Sequence, residues 1–320
     1  MIPKLGIVVP CYNEEEVLPE TSRRLIDLLS SLSAQGKITL DSCVYFVDDG
    51  SKDATWSVIE SLSSRHSQIA GIKLSRNRGH QNALLAGLFT AEGDVVISVD
   101  ADLQDDLDAI GEMLDRNREG AEVVYGVRKL RETDTFFKRI SAESFYRLLA
   151  LFGAEVVYNH ADYRLMSRRA LEGLMLYKEV NLFLRGIVPL IGYRSAIVYY
   201  DRHERFAGES KYPLKKMLGF AWEAITSFSI VPLRAITAIG FIVFLFSIAM
   251  VAWVLGVRLF TDQAVPGWAS AVLPVYLLGG IQILCIGILG EYLGKTYSEI
   301  KERPRYLIEK IIDSNNQQAH

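Results

Sequence analysis

The sequence predicts an α/β domain followed by an amphipathic juxtamembrane helix and two transmembrane helices. Three observations carry that expectation. Short Val- and Ile-rich runs alternate with helix-length amphipathic stretches from residue 1 to about residue 130, the pattern of a sheet covered on both faces. Two uncharged runs, Ala235–Val257 and Ala271–Gly290, occupy the C-terminal third, and a bilayer core about 30 Å thick needs roughly 20 apolar helical residues. Charged residues bound these runs, Arg234 and Arg258 around the first and Glu291 and Lys295 after the second.

In order, the strands are expected at Leu5–Val9, Cys43–Val47, Ile69–Leu74, Val95–Val99 and Glu122–Val127, as buried parallel strands. The helices are expected at Glu14–Leu32, Ala54–Ser64, Gln81–Ala91 and Leu107–Arg118. Residues 1–210 form the catalytic domain in this reading. Residues 211–233, with Phe220, Trp222, Ile225 and Phe228 beside Lys215, Lys216 and Glu223, form an interfacial helix. Residues 234–295 hold the two spans (about 235–257 and 271–294), and residues 296–320 form a tail. Lys211, Lys215, Lys216 and Arg234 precede the first span, and Lys295, Lys301, Arg303, Arg305 and Lys310 follow the second. The positive-inside rule then puts both termini and the catalytic domain in the cytosol, as a multi-pass protein of the plasma membrane. Gly279, Gly280, Gly287, Gly290 and Gly294 line the second span, and such small-residue faces let helices approach within one chain or between chains.

Composition narrows the class further. Half of the 320 residues are hydrophobic and 23% are charged, which suits a soluble domain joined to a membrane part. The net charge of -3 gives no support to nucleic-acid binding. Cys11, Cys43 and Cys285 have no paired spacing, so neither a disulfide framework nor a zinc site is expected. The N-terminus lacks the pattern of a signal peptide.

Ligands of open α/β sheets bind beyond the carboxyl ends of the strands, so the residues after each strand are the site candidates. The first strand runs into Pro10-Cys11-Tyr12-Asn13-Glu14-Glu15-Glu16, where Asn13 could cap a helix with Glu16 completing a capping box. The second runs into Asp48-Asp49-Gly50-Ser51, where adjacent carboxylates could accept hydrogen bonds from a base or ribose, or serve as caps. The fourth runs into Asp100-Ala101-Asp102-Leu103-Gln104. Two carboxylates one residue apart can reach one metal, and magnesium is commonly held by one or two carboxylates plus substrate phosphates. Arg128 follows the fifth strand, and Arg205 and Lys211 stand just before the membrane part, as candidate phosphate ligands. Asp162 has two readings, a buried ion pair with Arg164 or a group at the reacting centre.

PCYNEEE, VDDGSKD, DADLQD, GVRK, ADYRLMSRRA and RFAGESKY, in this order, resemble family-2 glycosyltransferases of the GT-A (Rossmann-like) fold. Within them the chain resembles the polyprenyl-phosphate glycosyltransferases: dolichyl-phosphate mannose synthases and, closer, the bactoprenol glucosyltransferases of O-antigen glucosylation. That closer likeness extends through NLFLRGI, ITSFSIVPLR, LGGIQILCIGILGEYLGKTY and KERPRY. Processive synthases carry more spans and an Arg-Trp pair, which this sequence lacks. The resemblance implies an inverting transfer to polyprenyl phosphate from a nucleotide sugar, UDP-glucose before GDP-mannose or other UDP-sugars. It implies Pro10, Tyr12, Glu14, Val47 and Asp49 at the nucleotide. It implies Asp100, Ala101 and Asp102 at the diphosphate and a Mg2+ or Mn2+ ion, with Gln104 as a further metal ligand. It puts Arg128, Arg205 and Lys211 on donor or acceptor phosphates and Asp162 near the reacting centre. It also implies a homo-oligomer, a tetramer. A catalytically inert membrane scaffold is the rival class, and the intact D-x-D with these basic residues argues against it. One departure from the family pattern is Asp105-Asp106-Leu107, where a proline often follows D-x-D-L-Q.

Overall fold

The computed structural model describes residues 2–129, 160–180, 184–201 and 268–313, with scattered positions between 233 and 253. The chain divides into two compact units, one of residues 1–146, 155–213 and 303–320, the other of residues 147–154 and 214–302.

The first unit is built on one mixed sheet of eight strands in the order β7-β5-β6-β4-β1-β2-β3-β8. The strands are β1 (Leu5–Cys11), β2 (Cys43–Asp48), β3 (Ile69–Leu74), β4 (Val95–Ser98), β5 (Val123–Arg128), β6 (His160–Ser167), β7 (Ser195–Tyr200) and β8 (Ile308–Ile312). β1 pairs in parallel with both β2 and β4, and β2 with β3. The five expected strands therefore appear where their Val/Ile runs put them. Between β4 and β5 lies β6, antiparallel to both. β8 adds an antiparallel strand at the β3 edge. The sequence reading had neither strand: it treated 160–167 as a motif and 308–312 as tail.

Side-chain alternation sorts the two faces. Leu5, Ile7, Val9 and Cys11 of β1 enter the main core with Leu18, Leu25 and Leu29 of α1 (Leu18–Ala34), Ile59 of α2 (Thr55–Arg65), and Ile110 and Met113 of α4 (Ala109–Arg118). Val8 and Val47 point the other way, against Gly87 of α3 (His80–Thr90). A helix laid there directs its N-terminus, His80, toward the carboxyl ends of β1, β2 and β4. Two shorter helices follow among the described residues, α5 (Arg168–Met175) and α6 (Leu184–Leu190).

The expected capping box after β1 does not form. α1 begins at Leu18, with Val17 at the N-cap and no side-chain cap. Asn13 instead turns with φ 55, and its side-chain oxygen accepts from the Lys52 N–H at 2.9 Å. A short polar side chain tolerates that left-handed conformation better than most, so the loop binds its neighbour rather than starting the helix.

In the second unit, α7 runs Trp268–Ile300. Among the described residues no helix is long and apolar enough to cross a membrane, and many of the α7 side chains lie outside the described set. Most of the first expected span, the juxtamembrane segment, Arg205 and Lys211 lie outside the described residues.

Candidate active site

The carboxyl ends of β1 and β2 are stitched into one rim. Pro10 and Val47 face each other across the two strands. The Asn13 N–H donates to Ser51 Oγ at 3.0 Å, the Glu14 N–H to Thr55 Oγ1 at 2.9 Å, and the Ala54 N–H to Glu15 Oε2 at 2.7 Å. Tyr12 is 41% exposed on this rim, whereas the Val47 side chain is wholly buried.

Asp49 has a task the sequence did not reveal. Its Oδ1 accepts the Arg78 N–H at 2.7 Å and its Oδ2 the Gly79 N–H at 2.9 Å. Burial pushes its carboxyl up, and those two N–H groups pull against the shift. Asp49 is buried, so this carboxylate serves as a clamp on the loop after β3. Gly50 makes the clamp possible: its φ is +66, and an added Cβ would stand 2.5 Å from the Asn77 nitrogen. Gly79, at φ +87, then turns the chain into α3 with His80 as its first residue.

His80 stands where the acidic groups converge. Its Nε2 is 3.7 Å from Asp100 Oδ1 and 3.8 Å from Asp162 Oδ2. Asp100 lies two residues beyond β4, and Asp162 belongs to β6, which pairs with β4 through Ser98 and Arg164. The Ser98 hydroxyl donates to the Asp162 carbonyl. Sheet pairing thus brings together two groups 62 positions apart in sequence.

Asp162 is held on both oxygens. Arg164 Nη2 donates to Oδ1 at 2.5 Å and Arg185 Nη2 to Oδ2 at 3.2 Å. Burial alone would raise its pKa, but Arg185, Arg164 and His80 outweigh it and hold the carboxyl well below the usual range. Asp162 thus forms the ion pair with Arg164 that one reading expected, and it shares His80 as a neighbour with Asp100 of the D-x-D. Asp100 moves the other way. Burial raises it first, His80 opposes, and Asp105, Asp162 and Asp102 add to the rise, so it is pushed up to about 6.

The D-x-D loop closes onto Arg128. Leu103 takes φ 56, and Asp102 Oδ1 accepts the Gln104 N–H at 3.3 Å. Ala101 and Gln104 are buried, at 5% and 6% exposure. Tyr200 donates to Asp105 Oδ1 at 2.5 Å and accepts from Arg128 Nε at 3.1 Å. Arg128 Nη2 lies 3.5 Å from the same Asp105 oxygen. Asp105, the last residue of the DADLQD motif, is thus the anchor of the phosphate-candidate arginine.

Asp100 and Asp102 offer two carboxylates one residue apart on the loop after β4. No group of three or more His, Cys, Asp or Glu side chains able to hold a metal occurs among the described residues. Two carboxylates with the rest of the shell left to substrate oxygens is the arrangement a hard cation such as Mg2+ accepts.

His80, Arg185 and Tyr200 were missed from sequence. Only the loop Ser75-Arg76-Asn77-Arg78-Gly79-His80 carried a signal, two arginines and a histidine around a glycine at a strand's carboxyl end.

Residues 6–175 match the family model described as glycosyl transferase family 2. The chain is 52% identical to the uncharacterized glycosyltransferase YkoT of Bacillus subtilis (strain 168), over 99% of this chain and 94% of that protein. It is 39% identical to the prophage bactoprenol glucosyl transferase homolog of Escherichia coli (strain K12), over 96% of this chain and 99% of that protein. It is also 39% identical to the bactoprenol glucosyl transferase of Shigella phage SfII, over 96% of this chain and 98% of that protein. Among solved structures it is similar to glucosyl-3-phosphoglycerate synthase from Mycobacterium tuberculosis in complex with Mn2+, uridine diphosphate and phosphoglyceric acid, with TM-score 0.44, 18% identity, and 70% of this chain and 76% of that chain covered.

Proposed function

The chain belongs to glycosyl transferase family 2, and from that premise we propose that it transfers glucose from UDP-glucose to polyprenyl phosphate, with inversion, at the cytosolic face of the plasma membrane. The observation that carries this reading is the convergence of Asp100 and Asp162 on His80, within 3.8 Å of both. It gives one place with a metal-binding pair on one side and an arginine-held carboxylate on the other. The bactoprenol glucosyl transferase names of the relatives support the acceptor and the sugar.

Asp100 and Asp102 would hold Mg2+ or Mn2+, which supplies charge neutralisation at the donor diphosphate. The acceptor phosphate oxygen bonds to the anomeric carbon. The bond from that carbon to the diphosphate oxygen breaks, and the electron pair leaves with UDP. A phosphate monoester has its second pKa near 6, so the dianionic acceptor needs no proton removed. Asp162, kept ionised by Arg185 and Arg164, would be a poor base and serves to orient those arginines. Arg128, steadied by Tyr200 and Asp105, offsets the charge of two anionic substrates. Arg205 and Lys211 remain proposed phosphate ligands outside the described residues.

The membrane reading draws on the uncharged run Ala271–Gly290 within the 33-residue helix α7, about 50 Å long at 1.5 Å per residue. β8 belongs to the catalytic sheet, so a chain that leaves this unit before residue 214 must return to it. Two spans meet that requirement and one does not. Assembly as a tetramer belongs to the same proposal.

The test is nucleotide release by purified protein in detergent, with UDP-glucose, Mg2+ and undecaprenyl phosphate. Release of UDP that requires the lipid phosphate is the expected result, and no release with any divalent metal would reject the reading.

A further inference from the structure

We propose that His80 reads the transferred sugar, as a specificity-determining hydrogen-bonding group in the gap between the D-x-D carboxylates and Asp162. The inference rests on the function proposed above, which puts a nucleotide sugar in that gap.

Three observations carry it. The imidazole Nε2 is 3.7 Å from Asp100 and 3.8 Å from Asp162, beyond hydrogen-bond length to either. The side chain is 47% exposed. Asp162 already accepts from Arg164 and Arg185, so its own hydrogen bonds do not use the ring. The ring therefore has hydrogen-bonding capacity to offer, and it faces the space between the groups that would hold the diphosphate and the group beside the reacting centre. The glycosyl unit lies between those two points in a nucleotide sugar. An imidazole carries at least one ring N–H donor, and a sugar hydroxyl oxygen can accept it.

The placement of His80 is also rigid, as discrimination between sugars requires. Asp49 holds the two preceding backbone N–H groups. The Asn82 side chain donates to the Arg78 carbonyl at 2.8 Å, which ties the same loop to the first turn of α3. Asp49 is thus a positioning residue for His80, acting through the loop.

The test compares wild type with His80→Ala and His80→Gln by calorimetric titration in Mn2+, using two ligand pairs: UDP and UDP-glucose, GDP and GDP-mannose. The account expects His80→Ala to bind the free nucleoside diphosphate within about twofold of wild type. It expects the nucleotide sugar to bind about tenfold more weakly, the size of one hydrogen bond. His80→Gln, which keeps a donor and an acceptor, should recover most of the loss. Equal weakening of sugar-bearing and sugar-free ligands would move His80 to the diphosphate and overturn the proposal, as would no change in either. The titration contains no lipid acceptor, so a lost sugar increment in His80→Ala upholds the proposal even where transfer to polyprenyl phosphate is not found.

Discussion

Asp162 accepts a hydrogen bond from Arg164 at 2.5 Å, and both side chains are enclosed, at 12% and 1% exposure. Burial lowers the Arg164 pKa, and Asp162 is the first group to oppose that shift. The pair therefore holds up the fold as well as bordering the site.

Asp162→Asn keeps the shape and removes the charge, so Arg164 is left uncompensated. Breaking a buried pair in this way costs about 3–5 kcal/mol. Asp162 has a folded pKa below its unfolded value of about 3.9, so its stabilisation is present above that value and is lost as pH falls below it. Thermal melting should show a constant gap between wild type and variant from about pH 8 to pH 5. The gap should narrow only below about pH 4. A gap that closed near neutral pH would contradict the depressed pKa.

Asp102→Asn should leave the fold intact, because the residue sits in a loop after β4, while removing one of two metal carboxylates. Transfer should fall by at least about a hundredfold, the usual loss for one charged transition-state contact, and chelation of the wild type should abolish it. Circular dichroism checks the fold. Full activity in Asp102→Asn, or in chelator, would remove the metal from the mechanism.

Tyr200→Phe separates the anchor from the arginine it steadies. The Tyr200 hydroxyl bonds both Asp105 and Arg128, and its loss leaves the buried Asp105 short of a donor, at about 1–3 kcal/mol. Its melting temperature should fall clearly. Arg128→Ala should instead raise the KM for the lipid phosphate, with a smaller change in melting. The reverse pattern would place Arg128 in the scaffold rather than at substrate.

In a cysteine-free background, Val265→Cys should react with an impermeant maleimide added outside intact cells, and Glu302→Cys should not. Labelling of Glu302→Cys from outside would contradict the cytosolic placement of the catalytic unit, because β8 shares its sheet and must lie on the same side.

Much of this architecture was legible in sequence because β1 to β5 are continuous Val/Ile runs bounded by polar residues. β6 was hidden because His160–Ser167 contains no such run. Its buried members include Tyr163 and Arg164, which signal a strand only once β4 and β5 flank it. β8 is exposed along most of its length and exists as a strand through its pairing with β3, a tertiary fact. The D-x-D, Arg128 and Asp162 could be picked out by position after strands or by motif. Arg185 could not, and His80 had only its place after β3 to mark it, since both meet Asp162 only through the β4–β6 pairing and the packing of α3 and α6. Asp49 was found, yet its role as a loop clamp depends on Gly50 letting residues 76 and 77 approach.

The most direct test of the central claim is the donor. Membranes containing the protein are incubated in parallel with radiolabelled UDP-glucose, GDP-mannose and UDP-galactose, and the lipid fraction is extracted. The account predicts label in polyprenyl-phosphate sugar from UDP-glucose, in a β linkage because inversion acts on an α-configured donor. Label entering the lipid only from GDP-mannose would contradict the donor, and label entering from none of the three would contradict the transfer itself.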